Sequence, residues 1–155
     1  MLPYLSGAAC PEFNPSAKGV WFGFTLKHTK ANFIRSIMEA VAYMLKTNIQ
    51  ILEDLGVEVD QIRTIGGGAK SPLWCRIKAD TLKKPVLTLK NEESACLGAC
   101  ILAGVGSKIF ENYEDAVKKM VKLKTKILPQ PENFIVYDEN YQKYLKLYQK
   151  LEDIF

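Results

Sequence analysis

The sequence predicts an α/β fold, a sheet flanked by helices, and three observations carry that prediction. Short runs rich in β-branched residues alternate with helical patterns. One apolar stripe of period 3.6 runs unbroken from Ala31 to Leu55. Glycine, proline and capping residues fall at the junctions between them. The alternation implies parallel strands covered by helices.

The elements follow in order. Residues 1–18 hold Pro3, Gly7, Pro11 and Pro15 and read as an irregular entry segment lying on something else. Val20-Trp21-Phe22, continuing to Phe24, has the content of a buried strand, with Gly23 marking a bulge or a close backbone approach. The long stripe passes through Ile34, Ile37, Val41, Leu45, Ile49 and Leu52, and Gly56 supplies its stop. At ~1.5 Å per residue such a helix is long enough to lie across a whole sheet. Gln61–Ile65 is a short strand that runs into Gly66-Gly67-Gly68-Ala69-Lys70, and Ser71-Pro72 then make an N-cap and first turn for a helix through Thr81.

After Pro85, Val86–Leu89 reads as another strand. Asn91 is placed to cap a helix from Glu92 to about Ala103, with Glu92 and Glu93 favouring its dipole. Its small residues, Ala95, Gly98, Ala99 and Ala103, allow close approach of a neighbour. A further helix is expected from Glu114 to Lys126, its lysines forming a solvated face. The terminal region, 132–155, carries a helix from about Asp138 whose Tyr141, Tyr144, Leu145, Tyr148 and Leu151 form a core stripe.

Composition narrows the function classes. With 155 residues, 48% hydrophobic and 25% charged, one ordinary globular domain is expected. No apolar run reaches the ~18 residues of a membrane span, and the N-terminus lacks a signal-peptide pattern, so the chain reads as cytoplasmic. The net charge of +4 comes largely from Lys118, Lys119, Lys122, Lys124 and Lys126. No aromatic platform is interleaved with them, so no nucleic-acid partner is expected. Cys10, Cys75, Cys96 and Cys100 form no CxxC pair and read as small buried apolar groups in a reducing compartment. A metal site would have to join the single His28 to distant cysteines, so none is expected.

One local feature points to ligand chemistry, a strand ending in three glycines followed by a capped helix. Such a turn favours an anion or a polar ring edge at backbone N–H groups, and a plain tight turn is the competing reading. It is not a P-loop, because Ala69 stands where glycine must precede Lys70, nor a dinucleotide fingerprint, because Ser71 replaces the last glycine. Asp60, Asp80, Glu92 and Glu93 lie near loop ends without an identifiable catalytic partner.

Beyond these patterns, Gly19-Val20-Trp21-Phe22-Gly23-Phe24, then seven residues, then Asn32-Phe33-Ile34-Arg35-Ser36-Ile37-Met38-Glu39, resembles the C-terminal signature of the FGGY carbohydrate kinases. Leu5-Ser6-Gly7 with Cys10–Pro15, the Gly66–Trp74 loop and Glu93–Ala99 agree, and together they are most similar to the xylulose kinases of that family. Ala8-Ala9 departs from the family, whose members carry Glu-Arg there. The resemblance covers about Met1 to Phe110.

The resemblance implies an actin-like ATPase (ribonuclease H-like) fold, of which residues 1–155 are most of the C-terminal, nucleotide-side domain. It implies ATP with Mg²⁺ as cofactor, bound through backbone contacts at Gly67, Gly68 and Ala69, with Pro72 against the base and Gly66 securing the turn. It implies D-xylulose as the acceptor, with glycerol, gluconate or ribulose as alternatives. The sugar pocket and catalytic Asp are implied to lie in an N-terminal domain outside these residues, so no catalytic residue is assigned here and the chain alone is expected to be inactive. An open sheet edge could also pair two copies into a homodimer. A partner-binding or oligomerisation module of the same fold is the reading from a different class.

Overall fold

The computed structural model describes residues 1–91 and 93–155. Helix α1 (Lys30–Asp54) is the longest element. At its start the Thr29 N–H donates to Asn32 Oδ1 at 2.8 Å, satisfying a group that the first turn would leave unpaired. At its end Gly56 takes φ +83°, while its N–H donates to the Glu53 carbonyl and that of Val57 to the Leu52 carbonyl. This is the paired closure expected where a glycine follows the last turn.

Strand β1 (Ile62–Thr64) leads through a tight 3₁₀ turn (Gly67–Lys70) into α2 (Pro72–Leu82), and β2 (Val86–Leu89) follows. Helices α3 (Ser94–Gly106) and α4 (Tyr113–Met120) precede β3 (Leu123–Ile127), and α5 (Phe134–Leu151) closes the fold. Among the described residues the sheet has the order β1-β2-β3, with β1 parallel to β2 and β2 antiparallel to β3. The fold is therefore α/β as expected, but the sheet is mixed.

The third strand corrects the helix expected to run to Lys126. Helix α4 stops at Met120, and Lys122, Lys124 and Lys126 alternate with Leu123, Thr125 and Ile127. Alternation at period two is strand patterning, and lysines on an edge strand discourage pairing with another chain.

A second correction concerns Val20–Phe24. Val20 forms one antiparallel bridge with Leu2, but Phe22 is 78% exposed and Gly23, at φ +84°, breaks the extended run. A Cβ on Gly23 would meet nothing within 4 Å, so the glycine serves a backbone reversal rather than a close approach. The aromatics turn onto α1 instead, Phe24 stacking on Phe33 at 4.1 Å.

A third correction concerns α3. Its N-cap position is Glu93, without a side-chain cap, so Asn91 does not cap it, and the expected contribution of Glu92 lies outside the described residues. Close approach occurs at Gly104, where a Cβ would sit 2.6 Å from the Phe110 ring, and not at Gly98, whose Cβ would face open space. Of the cysteines, Cys75 is buried while Cys10, Cys96 and Cys100 are exposed.

The tyrosine stripe is core, as expected. Tyr137, Tyr141, Tyr144 and Tyr148 of α5 are buried against Tyr43 and Ala42 of α1, beneath Leu2 and Tyr4 of the entry segment. The Tyr4 and Tyr144 hydroxyls share a 2.6 Å hydrogen bond, which lets two phenols be buried together. A smaller cluster of Cys75, Ala79 and Val86 joins α2 to the sheet and fixes the height of the glycine turn above it. Among the described residues no helix is long and apolar enough to cross a membrane.

Candidate functional site

The turn after β1 is built by three sequence choices. Gly66 takes φ +73° and ψ −164°, a conformation that side-chain-bearing residues essentially cannot hold. The Ala69 N–H donates back to the Gly66 carbonyl at 3.1 Å, so the first N–H groups of the turn, on Gly67 and Gly68, precede its internal bonding. Ser71 then caps α2, its Oγ accepting from the Trp74 N–H at 3.2 Å, and Pro72 occupies the first helical position, where its missing N–H costs nothing.

An open cleft of about 170 Å³ lies between this turn, the start of α2 and the sheet. Gly66, Ala69, Lys70 and Pro72 form one wall. Thr64, Thr88 and Thr125 line it from three adjacent strands, Thr64 paired with Thr88 and Thr88 with Thr125 in the strand register. The result is a row of hydroxyls across the sheet. Asn91 and Lys124 complete the polar lining, and Leu89 and Ile127 supply apolar surface. Such a mixture of flat apolar wall, backbone polar groups and hydroxyls suits a heteroaromatic ring with a polar edge.

Of the residues the sequence singled out, Ala69 and Pro72 line the cleft and Gly67 and Gly68 do not. Gly67 faces open space, whereas a Cβ on Gly68 would come 3.2 Å from the Trp74 ring. Gly66, read from sequence as securing the turn, does so and lines the cleft as well. The sequence reading missed Thr64, Thr88, Asn91, Lys124 and Thr125. The row of threonines is legible only once strand register is known, and Lys124 lies in a stretch whose sequence predicts helix but which forms β3.

Beneath the turn, Lys78 is 9% exposed, and burial holds its ammonium below the ordinary lysine range, opposed by the nearby Cys75 thiol. Burial also raises the Cys75 thiol, whose Sγ lies 3.6 Å from the Ala69 carbonyl. Asp80, 1% exposed, accepts from the Gln130 N–H and from Asn133 Nδ2, both at 2.8 Å, which makes it an anchor for the segment before α5 rather than a catalytic carboxylate. Glu39 pairs with Arg35 at 2.7 Å along α1. A wider groove of about 420 Å³ between α1, α2 and α5 has its cations engaged, Lys46 and Lys83 with Asp138 and Lys84 with Glu53. Among the described residues no group of three or more His, Cys, Asp or Glu could hold a metal ion.

The family model described as "FGGY family of carbohydrate kinases, C-terminal domain" matches residues 1–107, a span that contains α1, the glycine turn and α2. The chain belongs to the FGGY family. A xylulose kinase of Staphylococcus epidermidis is 34% identical over 152 residues, 98% of this chain and 31% of that protein. A gluconokinase of Bacillus subtilis is 36% identical over 120 residues, 77% of this chain and 23% of that protein. The solved xylulose kinase of Rhodospirillum rubrum superposes with a TM-score of 0.85 at 33% identity, over 99% of this chain and 30% of that one. A glycerol kinase of Plasmodium falciparum solved with ADP shares the fold, with a TM-score of 0.76 at 21% identity. The mixed sheet flanked by helices is thus the actin-like architecture of FGGY kinases. The chain spans less than a third of the length of these curated relatives, 31% and 23%.

Proposed function

We propose that this FGGY chain forms the nucleoside side of the cleft of an ATP-dependent sugar kinase, and that the whole enzyme phosphorylates D-xylulose to D-xylulose 5-phosphate. The observation that carries the reading is the glycine turn. Gly66 adopts a backbone conformation reserved for glycine and opens a polar cleft at the start of a capped helix, inside the segment that matches the family.

The residues present fit a nucleoside. Of the turn residues expected to contact it, Ala69 would give it backbone contact and Pro72 would lie against the base, while Gly67 and Gly68, which do not line the cleft, would shape the turn; the threonine row would meet its polar edge. Bound ATP would supply the transferable phosphoryl group. The Mg²⁺ that accompanies ATP would be held in part by the phosphates themselves, and we assign it no ligand here. We assign no catalytic residue here, the base that would deprotonate a sugar hydroxyl being sought outside these residues. The chain's part is to orient, which in phosphoryl transfer is a large share of catalysis.

The test is a two-dimensional NMR titration of the chain with ADP. Half a cleft should bind weakly, with a Kd of about 1 mM, or ~4 kcal/mol. Saturable shifts centred on Gly66–Trp74 are expected, and a folded spectrum unmoved by ADP would count against the reading. Gluconate is the second acceptor to consider, because the Bacillus subtilis gluconokinase matches at 36% identity. A sugar screen on the whole enzyme separates the two.

A further inference from the structure

Lys78 stands out among the buried groups. It lies one turn after Trp74 on α2, 9% exposed, and among the described residues no carboxylate pairs with it. Its Nζ donates to Thr64 Oγ1 at 3.2 Å and sits 4.8 Å from the centre of the Trp74 ring. A Cβ on Gly68 would lie 3.5 Å from that same Nζ. The titratable group that faces it is the Cys75 thiol of its own helix; β1 offers the Thr64 hydroxyl, and the turn offers backbone.

A lysine can usually carry its head to water along an apolar stem. This one ends inside, and burial disfavours its charged form. A methionine would fill the same space without that cost. Among the described residues, the groups around the ammonium belong to the turn or its seat. Thr64 ends β1 and lines the cleft, Gly68 is in the turn, and Trp74 is the ring on which Gly68 rests. Trp74 is itself held, its Nε1–H donating to the Met38 carbonyl of α1 at 3.1 Å. The ammonium therefore ties the end of β1 to α2 directly, and lies beside Gly68 of the turn and the Trp74 ring on which it rests.

We propose that Lys78 is a positioning residue for nucleotide binding, fixing Thr64 and the Gly66–Ala69 turn against α2 so that the cleft is formed before ligand arrives. The inference rests on the nucleotide reading of that cleft. In this account Lys78 never touches the ligand; it acts through Thr64 and Gly68, and its removal loosens the site without loosening the fold. A lysine kept only for packing would show the reverse.

The experiment measures ADP affinity by NMR titration, and stability by denaturant unfolding, for the wild-type chain, Lys78→Met, Thr64→Val and the double variant. Lys78→Met is expected to be at least as stable as wild type while binding ADP about three- to tenfold more weakly, the effect of losing one hydrogen bond. The double variant should bind no more weakly than the weaker single variant, because both changes break the same tie. Equal ADP affinity in wild type and Lys78→Met overturns this inference and leaves the nucleotide reading standing. Independent, additive losses overturn it too, as does an unfolded or markedly destabilised Lys78→Met chain, which would make the lysine structural. A wild-type chain that binds no ADP removes the nucleotide reading, and the inference falls with it.

Discussion

The three consecutive glycines are chemically identical and physically different, which makes their alanine variants a graded test of the site. At Gly66 the backbone lies at φ +73° and ψ −164°, and a Cβ would meet nothing within 4 Å, so the whole penalty is conformational. Holding a side-chain-bearing residue there costs about 1–3 kcal/mol. The chain relieves only part of that cost by letting the turn move, which displaces Ala69 and Pro72 from the cleft wall. At Gly67 the φ is negative and the space open, so alanine is tolerated and stabilises by about 0.4–1 kcal/mol through the unfolded state. At Gly68 the backbone is permissive but a Cβ meets Trp74 at 3.2 Å, and that ring is held by its bond to Met38, so overpacking of about 1–3 kcal/mol is expected. Denaturant unfolding and ADP titration on the three variants read both consequences. Gly67→Ala should equal or exceed wild type in stability and keep its ADP affinity, while Gly66→Ala and Gly68→Ala lose both. A Gly66→Ala chain within about 0.5 kcal/mol of wild type and unchanged in ADP binding would refute the argument, since surface changes without a mechanism fall in that range.

Two further outcomes follow from buried polar groups. Asp80→Ala removes the acceptor for the Gln130 N–H and for Asn133 Nδ2, and leaving these donors without their partner should cost about 2–4 kcal/mol in denaturant unfolding, whereas an exposed carboxylate would cost almost nothing. Burial pushes the Tyr144 phenol up to about 12 and also raises Tyr4, Tyr43 and Tyr137. A raised folded-state value means stability that is complete below the ordinary phenol range near ~10 and lost as pH climbs toward the folded value. Tyr144 alone accounts for a loss on the order of 2–3 kcal/mol. Lys78, lowered, works the other way, regaining stability as pH rises toward the ordinary lysine range and so before most of the tyrosine loss, while Cys75, raised, adds a loss that begins at the ordinary thiol range. Tyrosinate absorbance and circular dichroism should therefore change together in one alkaline transition; ionisation of all these tyrosines near ~10 with the helical signal intact would contradict the packing.

How much of this was legible depends on whether a pattern is local. Helix α1 could be read to within a residue, since its stripe and Gly56 lie in one continuous stretch. The same holds for Gly66, Ser71 and Pro72, where turn and cap chemistry act over a few residues. Misreadings arose where two periods compete. Lys118 and Lys119 do lie on a helix, but from Lys122 onward lysines alternate with Leu123, Thr125 and Ile127, and a change of period inside one basic run marks a helix giving way to a strand. Val20–Phe24 failed for another reason: aromatic content favours a strand only when a neighbouring strand is there to pair with, and among the described residues Leu2 alone pairs with Val20.

The cleft shows why the turn was found and its opposite wall was not. A glycine turn announces itself in consecutive residues, but Thr64, Thr88 and Thr125 are separated by 24 and 37 positions and share a row only because β1, β2 and β3 pair in one register. Nothing in the segment around Thr125 marks it as site. Its place follows from the register that sets it opposite Thr88 on the face where Thr88 meets Thr64. The polarity of the cleft therefore rests on a strand register that local pattern cannot specify, and the hydroxyl row joins a site that otherwise belongs to the family-matched residues 1–107 to a strand that lies beyond them.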